Sequence, residues 1–269
     1  MSSHTIASRL EAIFADQKQK KAALIPYVTG GYPSKADCAR VIEAFIAGGA
    51  DIVELGVPYS DPIADGPVVQ RSTHEALLGG TTTDDVLALA AEYSAQVQFV
   101  LLVYVNSVLA YGSERFFARC AACGVEALVI PDLPVDEAAE LAAQAAACGV
   151  AIAPLAAPTS TDARLDLIAA AARSFIYCVS VTGVTGARSQ VGDDLPDLLA
   201  RLRLRTSAPL AVGFGISTPE QAADVGELAD GVIVGSALIA MLGQGRGIEE
   251  STRAVEDHVR ALARALQIA

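Results

Sequence analysis

The sequence has little positive charge. Of its 269 residues, 19 are lysine or arginine and 31 are aspartate or glutamate, so the formal net charge at pH 7 is -12. Nucleic acids and anionic membranes would repel such a chain, and we expect it to bind neither. Any phosphate group that it binds must be held by local backbone N–H groups more than by a basic surface.

A long hydrophobic run is also missing. A membrane-spanning helix needs roughly 20 apolar residues, and the most apolar segment, 97–112, is interrupted by Gln98 and Asn106. The N-terminus contains acidic residues and no continuous apolar core, unlike a signal peptide. Its apolar residues lie on one face of a predicted helix that covers one end of the domain: Ile6, Leu10, Ile13 and Phe14.

The cysteines do not form an obvious disulfide framework. There are five, an odd number scattered along the chain, which is typical of the reducing cytoplasm, and we expect that location. Cys120 and Cys123 have the C-x-x-C spacing of redox and zinc sites, but no second pair completes the four ligands of a structural zinc. We therefore expect both to be core-facing residues of an Ala-rich helix, and we expect no metal site.

Eight apolar runs alternate with Ala-rich amphipathic segments. The runs are 22–28, 50–56, 97–105, 125–131, 150–156, 174–180, 208–215 and 230–236. Each is continuously apolar, as expected for a strand of a parallel sheet that is buried on both faces. Eight such units, with no linker between them, predict an α/β fold in which residues 1–269 form one (β/α)8 barrel with an extra N-terminal helix. A doubly wound open sheet is the alternative.

The active site of such a barrel forms at the C-terminal ends of the strands. The stretch VELGVPYSDPIADGP, 53–67, places Glu54 near the end of the second strand and Asp61 and Asp65 in the loop that follows. Alternation along the strand turns Glu54 into the barrel mouth, where burial would raise its pKa and suit it to proton transfer. The alternative is that Glu54 is paired with a neighbouring donor. Asp65 is expected to be better solvated and ionised, and the sequence alone does not separate it from Asp61, which could equally be a turn or N-cap residue.

Glycine-rich segments follow the last three strands, at 182–189, 213–218 and 235–237. The phosphate site of many barrels is built from the loops after strands seven and eight and the start of a short extra helix. Glycine allows backbone N–H groups to approach phosphate oxygens closely. These segments therefore predict a phosphorylated substrate.

Two kinds of aldolase are not expected. The four lysines lie in or beside the first strand and its flanking helices, so a Schiff base on a later strand is excluded. The three histidines are dispersed and none ends a strand, which argues against a histidine-ligated metal. No dinucleotide fingerprint follows the first strand. What remains is acid–base chemistry on a phosphorylated substrate that supplies its own electron sink.

The motif VELGVPYSDPIADGPVVQ, with YVTGGYP before it and TGVTGA and GFGI after it, resembles the tryptophan synthase alpha chain family. The similarity runs over nearly the whole chain. It implies a lyase that cleaves indole-3-glycerol phosphate to indole and glyceraldehyde 3-phosphate in L-tryptophan biosynthesis. It also implies no cofactor in this chain and an α2β2 complex with a beta chain that carries pyridoxal phosphate and receives the indole.

The resemblance assigns roles to individual residues. It makes Glu54 the acid–base group and Asp65 the residue that contacts the indole N–H, while indole protonated at C3 serves as the electron sink. The other substrate-binding positions are Tyr27, Leu102, Tyr104, Tyr177, Thr185 and Phe214. The phosphate-binding positions are Gly186, Gly213, Gly215, Gly235 and Ser236. Two features depart from the family pattern: Tyr27 stands where many members have Phe, and CVSVTGVTG differs from the common SRxGVTG.

Two other functions are compatible with the same fold. A phosphosugar isomerase or cyclase could use the same barrel, and so could a regulatory subunit that has lost turnover. The beta chain is expected to dock around the barrel mouth, on 57–62 and 131–136. Docking would close the TGVTGA segment, which contains Thr185 and Gly186, over the substrate.

Overall fold

The structure is a computed structural model that describes residues 9–16, 21–179, 194–213, 215–245 and 247–267. The strands are β1 (Ala23–Thr29), β2 (Ile52–Gly56), β3 (Gln98–Leu102), β4 (Val125–Val129), β5 (Ala151–Ala153), β6 (Leu155–Ala156), β7 (Ile176–Val179), β8 (Leu210–Gly213) and β9 (Gly231–Val234). The helices are α1 (Arg9–Ala15), α2 (Lys35–Gly48), α3 (Pro67–Leu78), α4 (Thr83–Tyr93), α5 (Val105–Tyr111), α6 (Ser113–Ala122), α7 (Ala139–Ala147), α8 (Asp162–Ala171), α9 (Leu195–Arg203), α10 (Pro219–Gly226), α11 (Ser236–Leu242) and α12 (Ile248–Ala265).

The strands form a parallel, nearly closed barrel in the order β5-β4-β3-β2-β1-β9-β8-β7-β6. β5 and β6 are two halves of the fifth predicted strand, because β5 pairs with β4 and β6 pairs with β7. Pro154 separates them, since it has no N–H to donate to a ladder. Its carbonyl accepts from the Tyr177 N–H at 2.9 Å. The eight predicted strand positions and the (β/α)8 barrel are confirmed, and the open-sheet alternative is wrong.

Short turns return the chain from helix to strand. Gly49 ends α2 with a φ of 95°, a left-handed conformation that glycine adopts without strain, and β2 begins three residues later. The register of β1 with β2 then sets Tyr27 opposite Glu54. Every residue of both strands is buried, so neither side chain of this pair reaches the outer surface of the protein.

Helix α1 covers the N-terminal end of the barrel. Leu10 and Phe14 are buried, and the Phe14 ring lies 5.6 Å from that of Phe175, which precedes β7. The backbone N–H of Leu10 donates to the Glu126 side chain at 3.2 Å. The predicted cap is therefore present at the end opposite the barrel mouth, while Ile6 lies outside the described residues.

The cysteines are free thiols, and four of the five are buried. Cys120 and Cys123 pack into the core from α6 and the residue that ends it, as the sequence predicted. Burial raises the pKa of Cys120 to about 12, so this thiol is protonated and unreactive at neutral pH. Within the described ranges, no cluster of three or more His, Cys, Asp or Glu side chains could hold a metal ion, and no helix is long and apolar enough to cross a membrane.

Candidate active site

A cleft at the C-terminal ends of the strands encloses ≈ 480 Å³ of space, part of it open to solvent. Residues from opposite sides of the barrel meet there: Tyr27, Glu54, Asp65, Gly66, Val69, Leu102, Tyr177, Gly215, Ile233, Gly235 and Ser236. Eight of the positions assigned from the sequence are among them.

Glu54 lies on β2 and is only 2 % exposed. Its Oε1 is buried and has no hydrogen-bond partner among the described residues, in contrast to the alternative in which a neighbouring donor neutralises it. Burial, with the negative charge of Asp65 adding to it, raises the Glu54 pKa to about 8. Glu54 therefore carries a proton at neutral pH. Its Oε1 forms no hydrogen bond with the described residues and is free to bond to a substrate.

Asp65 is also buried, but at 8 % exposed it is less deeply buried than Glu54. The loop after β2 folds back over the barrel mouth, where the Tyr104 hydroxyl accepts from the Ala64 N–H at 3.0 Å and donates to the Asp65 carboxylate. Burial raises the Asp65 pKa to about 6, although the Tyr104 hydrogen bond opposes that rise. Asp65 is thus largely ionised at neutral pH, while Glu54 is protonated. The two carboxyl groups therefore have different protonation states, as is needed when one transfers a proton and the other stabilises charge.

Tyr104 supports the loop and does not line the cleft. Its ring stacks on Tyr59 with 5.0 Å between centroids, and Asn106 Nδ2 donates to the Tyr59 hydroxyl at 3.0 Å. Asp61 lies in the same loop but is exposed and bonds to the Ser60 hydroxyl. The structure thereby separates the two aspartates, because only Asp65 reaches the cleft.

Two glycines make room for the cavity's tyrosines. A side chain at Gly56 would collide with the Tyr27 hydroxyl, and one at Gly213 would lie 2.5 Å from the Tyr177 hydroxyl. Gly213, assigned to phosphate from the sequence, therefore packs against Tyr177 and is not among the lining residues. Its glycine identity is explained by that close approach.

Gly215 and Gly235, the other described glycines assigned to phosphate from the sequence, line the cleft. Gly215 has a φ of 82°, and Gly235 immediately precedes α11, whose first residue is Ser236. The first backbone N–H groups of a helix have no partner within it and can bind an anion. Thr185, Gly186 and Phe214 lie outside the described residues.

Some lining residues were missed by sequence reasoning, namely Gly66, Val69 and Ile233. Periodicity could have found two of them. Val69 is four residues after Asp65, about one turn into α3, and Ile233 is two residues before Gly235, on the same face of its strand. Both are apolar and widen the hydrophobic part of the cleft.

Comparison with known proteins gives one consistent result. The family model of the tryptophan synthase alpha chain matches residues 14–267. The tryptophan synthase alpha chain of Geobacter sp. (strain M21) is 47% identical over 245 residues, 90% of this chain and 92% of that protein. That of Pelobacter propionicus is 44% identical over 262 residues, 96% of this chain and 98% of that protein.

Solved structures agree. A chain of Mycobacterium tuberculosis tryptophan synthase superposes with a TM-score of 0.89 at 38% identity, over 97% of this chain and 99% of that one. The tryptophan synthase alpha chain from Legionella pneumophila subsp. pneumophila gives a TM-score of 0.85 at 30% identity, over 96% and 97%. Both similarities cover the barrel from end to end.

Proposed function

The chain belongs to the tryptophan synthase alpha chain family, and we propose that Glu54 and Asp65 perform its chemistry in the cleft at the barrel mouth. The reaction is the retro-aldol cleavage of indole-3-glycerol phosphate to indole and glyceraldehyde 3-phosphate in L-tryptophan biosynthesis, a carbon–carbon lyase activity. One observation carries the assignment of residues: a protonated Glu54, whose Oε1 has no hydrogen-bond partner among the described residues, faces the same cavity as an ionised Asp65.

Glu54 is the proton donor and acceptor. It gives its proton to C3 of the indole ring, so that the ring becomes cationic and can accept the electrons of the C–C bond. The resulting carboxylate takes the proton from the side-chain hydroxyl, the C–C bond breaks, and the aldehyde and neutral indole form. Glu54 ends protonated, as it began, and a pKa near 8 suits both transfers.

Asp65 stabilises the charge that develops on the ring. Its carboxylate accepts the indole N–H, and the interaction strengthens as the ring becomes positive, which is where electrostatic catalysis is most effective. Tyr104 holds Asp65 in place for this role. The apolar walls for the ring are Tyr27, Val69, Leu102, Tyr177 and Ile233, and we extend them with Phe214.

The phosphate group binds to backbone N–H groups. We propose Gly215, Gly235 and Ser236 for this site, with Gly213 and Gly186 beside them and Thr185 as a further substrate contact. No lysine or arginine is among the described residues that line the cleft. In this acidic protein, the phosphate dianion of the substrate is therefore bound by oriented backbone N–H dipoles.

The partner is a tryptophan synthase beta chain, which family membership implies. We propose an α2β2 complex in the cytoplasm, with pyridoxal phosphate in the beta chain and no cofactor in this one. Docking uses 57–62 and 131–136. The exposed apolar side chains of Ile63 and Leu109, on the loop after β2 and on α5, extend this docking face at the barrel mouth.

A direct assay tests the function. The purified chain is incubated with indole-3-glycerol phosphate, and indole release is measured with and without the cognate beta chain. We expect release in both cases, and faster release in the complex because docking closes the site. No indole in either case would leave the regulatory subunit as the better interpretation.

A further inference from the structure

Three hydroxyl groups form a buried chain behind the wall of the cleft. The Tyr27 hydroxyl lies 3.2 Å from Thr29 Oγ1, which lies 2.7 Å from Ser72 Oγ on α3. Ser72 Oγ donates to the Val69 carbonyl at 2.8 Å. Thr29 and Ser72 are fully buried, so their hydroxyl groups are shielded from bulk water.

Only one arrangement of protons satisfies all three contacts. A carbonyl oxygen can only accept, so the single proton of Ser72 goes to Val69. The contact between Thr29 and Ser72 must then use the Thr29 proton, and the contact between Tyr27 and Thr29 must use the Tyr27 proton. Any other arrangement leaves one contact without a proton. The Tyr27 oxygen therefore has lone pairs but no proton left for the cleft.

The Tyr27 hydroxyl lies against Gly56, which is two residues after Glu54 on the same face of β2. Tyr27 is the register partner of Glu54, and both line the cleft. The ionisable groups that face Tyr27 are Glu54 and Asp65 from β2 and its loop, Tyr104 after β3, and Tyr177 on β7. Burial, followed by the charge of Asp65, raises the Tyr27 pKa well above its ordinary value, so its hydroxyl stays neutral.

We propose that Thr29 and Ser72 are positioning residues that hold the Tyr27 proton away from the cleft, so that Glu54 keeps its own proton for the substrate. A free Tyr27 hydroxyl would donate to the Glu54 carboxylate and stabilise the ionised form, which cannot protonate indole. Because its proton is bonded to Thr29, the Tyr27 oxygen can only accept a hydrogen bond from the cleft. It therefore does not stabilise the ionised form of Glu54. This proposal rests on the role of Glu54 given above.

Thr29→Val tests the proposal, because it keeps the shape of the side chain and removes the acceptor of the Tyr27 proton. The Glu54 pKa is followed through the ¹³C resonance of its carboxyl carbon, which is assigned by its loss in Glu54→Gln. We expect Thr29→Val to lower this pKa by about one unit, the effect of one new hydrogen bond to the carboxylate. The basic limb of the kcat profile should move to lower pH by the same amount.

Ser72→Ala should act in the same direction. Without the Ser72 hydroxyl, Thr29 can donate its proton to the Tyr27 oxygen. The Tyr27 hydroxyl can then donate its own proton into the cleft. Thr81→Val is the matched control, since Thr81 is also a buried threonine but does not line the cleft. It should leave both the Glu54 pKa and the kcat profile unchanged.

A double substitution tests whether the effect of Thr29→Val depends on the Tyr27 hydroxyl. In a Tyr27→Phe background no proton is left to redirect, so Thr29→Val should no longer lower the Glu54 pKa. An unchanged pKa in the single variant, or an equal fall with and without the Tyr27 hydroxyl, would overturn the proposal. If the titration of the resonance shifts as expected but the kcat profile does not, the positioning role of Thr29 and Ser72 is supported and the catalytic role of Glu54 is contradicted.

Discussion

Glu54 and Asp65 face one cavity, and the charge of Asp65 contributes to raising the Glu54 pKa to about 8. Asp65 itself has a pKa of about 6, because it is buried but accepts a hydrogen bond from Tyr104. The pair therefore loses its protons in two steps. Between these steps it holds one proton, on Glu54, which is the state that can start the reaction.

Asp65→Asn should weaken catalysis and change its pH dependence. Removing the charge lowers the Glu54 pKa, since ionising Glu54 no longer places two negative charges in one cavity. The basic limb of kcat should move to lower pH, and kcat should fall by about 10²–10³-fold because the developing ring charge loses its partner. Asp61→Asn, in the same loop but exposed, is the control for steady-state assays of the isolated chain. Equal effects of the two substitutions would contradict the assignment.

Glu54→Gln should stabilise the protein in a pH-dependent way. Glutamate in an unfolded chain has a pKa of about 4.3, and in the folded protein that of Glu54 is about 8. Between these values the folded state binds more protons, so the stability contributed by neutral Glu54 is complete below about pH 4.3 and is lost as the pH rises through about 8. Glutamine does not titrate. Its variant should match the wild type near pH 4 and exceed it by on the order of 4 kcal/mol near pH 7.5.

Urea-induced unfolding at the two pH values measures this difference. The variant is compared with the wild type at each pH, so titrations common to both proteins cancel. A stability difference that is the same at both pH values would show that the Glu54 pKa is not raised by folding.

Ser236→Pro should weaken substrate binding with little effect on kcat. Ser236 is the first residue of α11, a position where proline is well tolerated but has no N–H to offer a phosphate. Losing one hydrogen bond to a charged group corresponds to a rise in KM of about 10–100-fold. Ser236→Ala keeps the N–H and should leave KM within about threefold of the wild type. Equal KM values for the two variants would argue for a phosphate site elsewhere.

Ile63→Asp should weaken the complex with the beta chain. Ile63 is 77% exposed beside the barrel mouth, and burying such a side chain contributes about 1.5–3 kcal/mol. We expect the dissociation constant to rise at least about tenfold. Leu204→Asp is the matched control, because Leu204 is 85% exposed but follows α9 and leads towards the N-terminal end of β8. Sedimentation velocity of the mixtures distinguishes a specific docking face from general loss of apolar surface.

The barrel could be predicted because its signals are local. Continuous apolar runs mark the strands, glycines such as Gly49 mark the turns, and alternation along β2 places Glu54 inside. The break at Pro154 could also have been anticipated, since proline cannot donate to a strand ladder. These features depend on residues close together in the chain.

The site was only partly predictable because its key contacts are long-range. The burial of Asp65 depends on Tyr104, almost forty residues later, folding under the loop. The orientation of Tyr27 depends on Ser72, and the need for glycine at 213 depends on Tyr177. Such pairings arise from the closed barrel and leave no periodic pattern in the sequence.

Turnover by Glu54→Gln tests the central claim most directly. Glutamine keeps the size and polarity of the side chain and removes the group that titrates. Single-turnover release of indole from indole-3-glycerol phosphate should slow by about 10²–10⁴-fold, while the substrate still binds with an affinity near that of the wild type. Indole release at a near wild-type rate would contradict the account, because the proton would then have to come from another group.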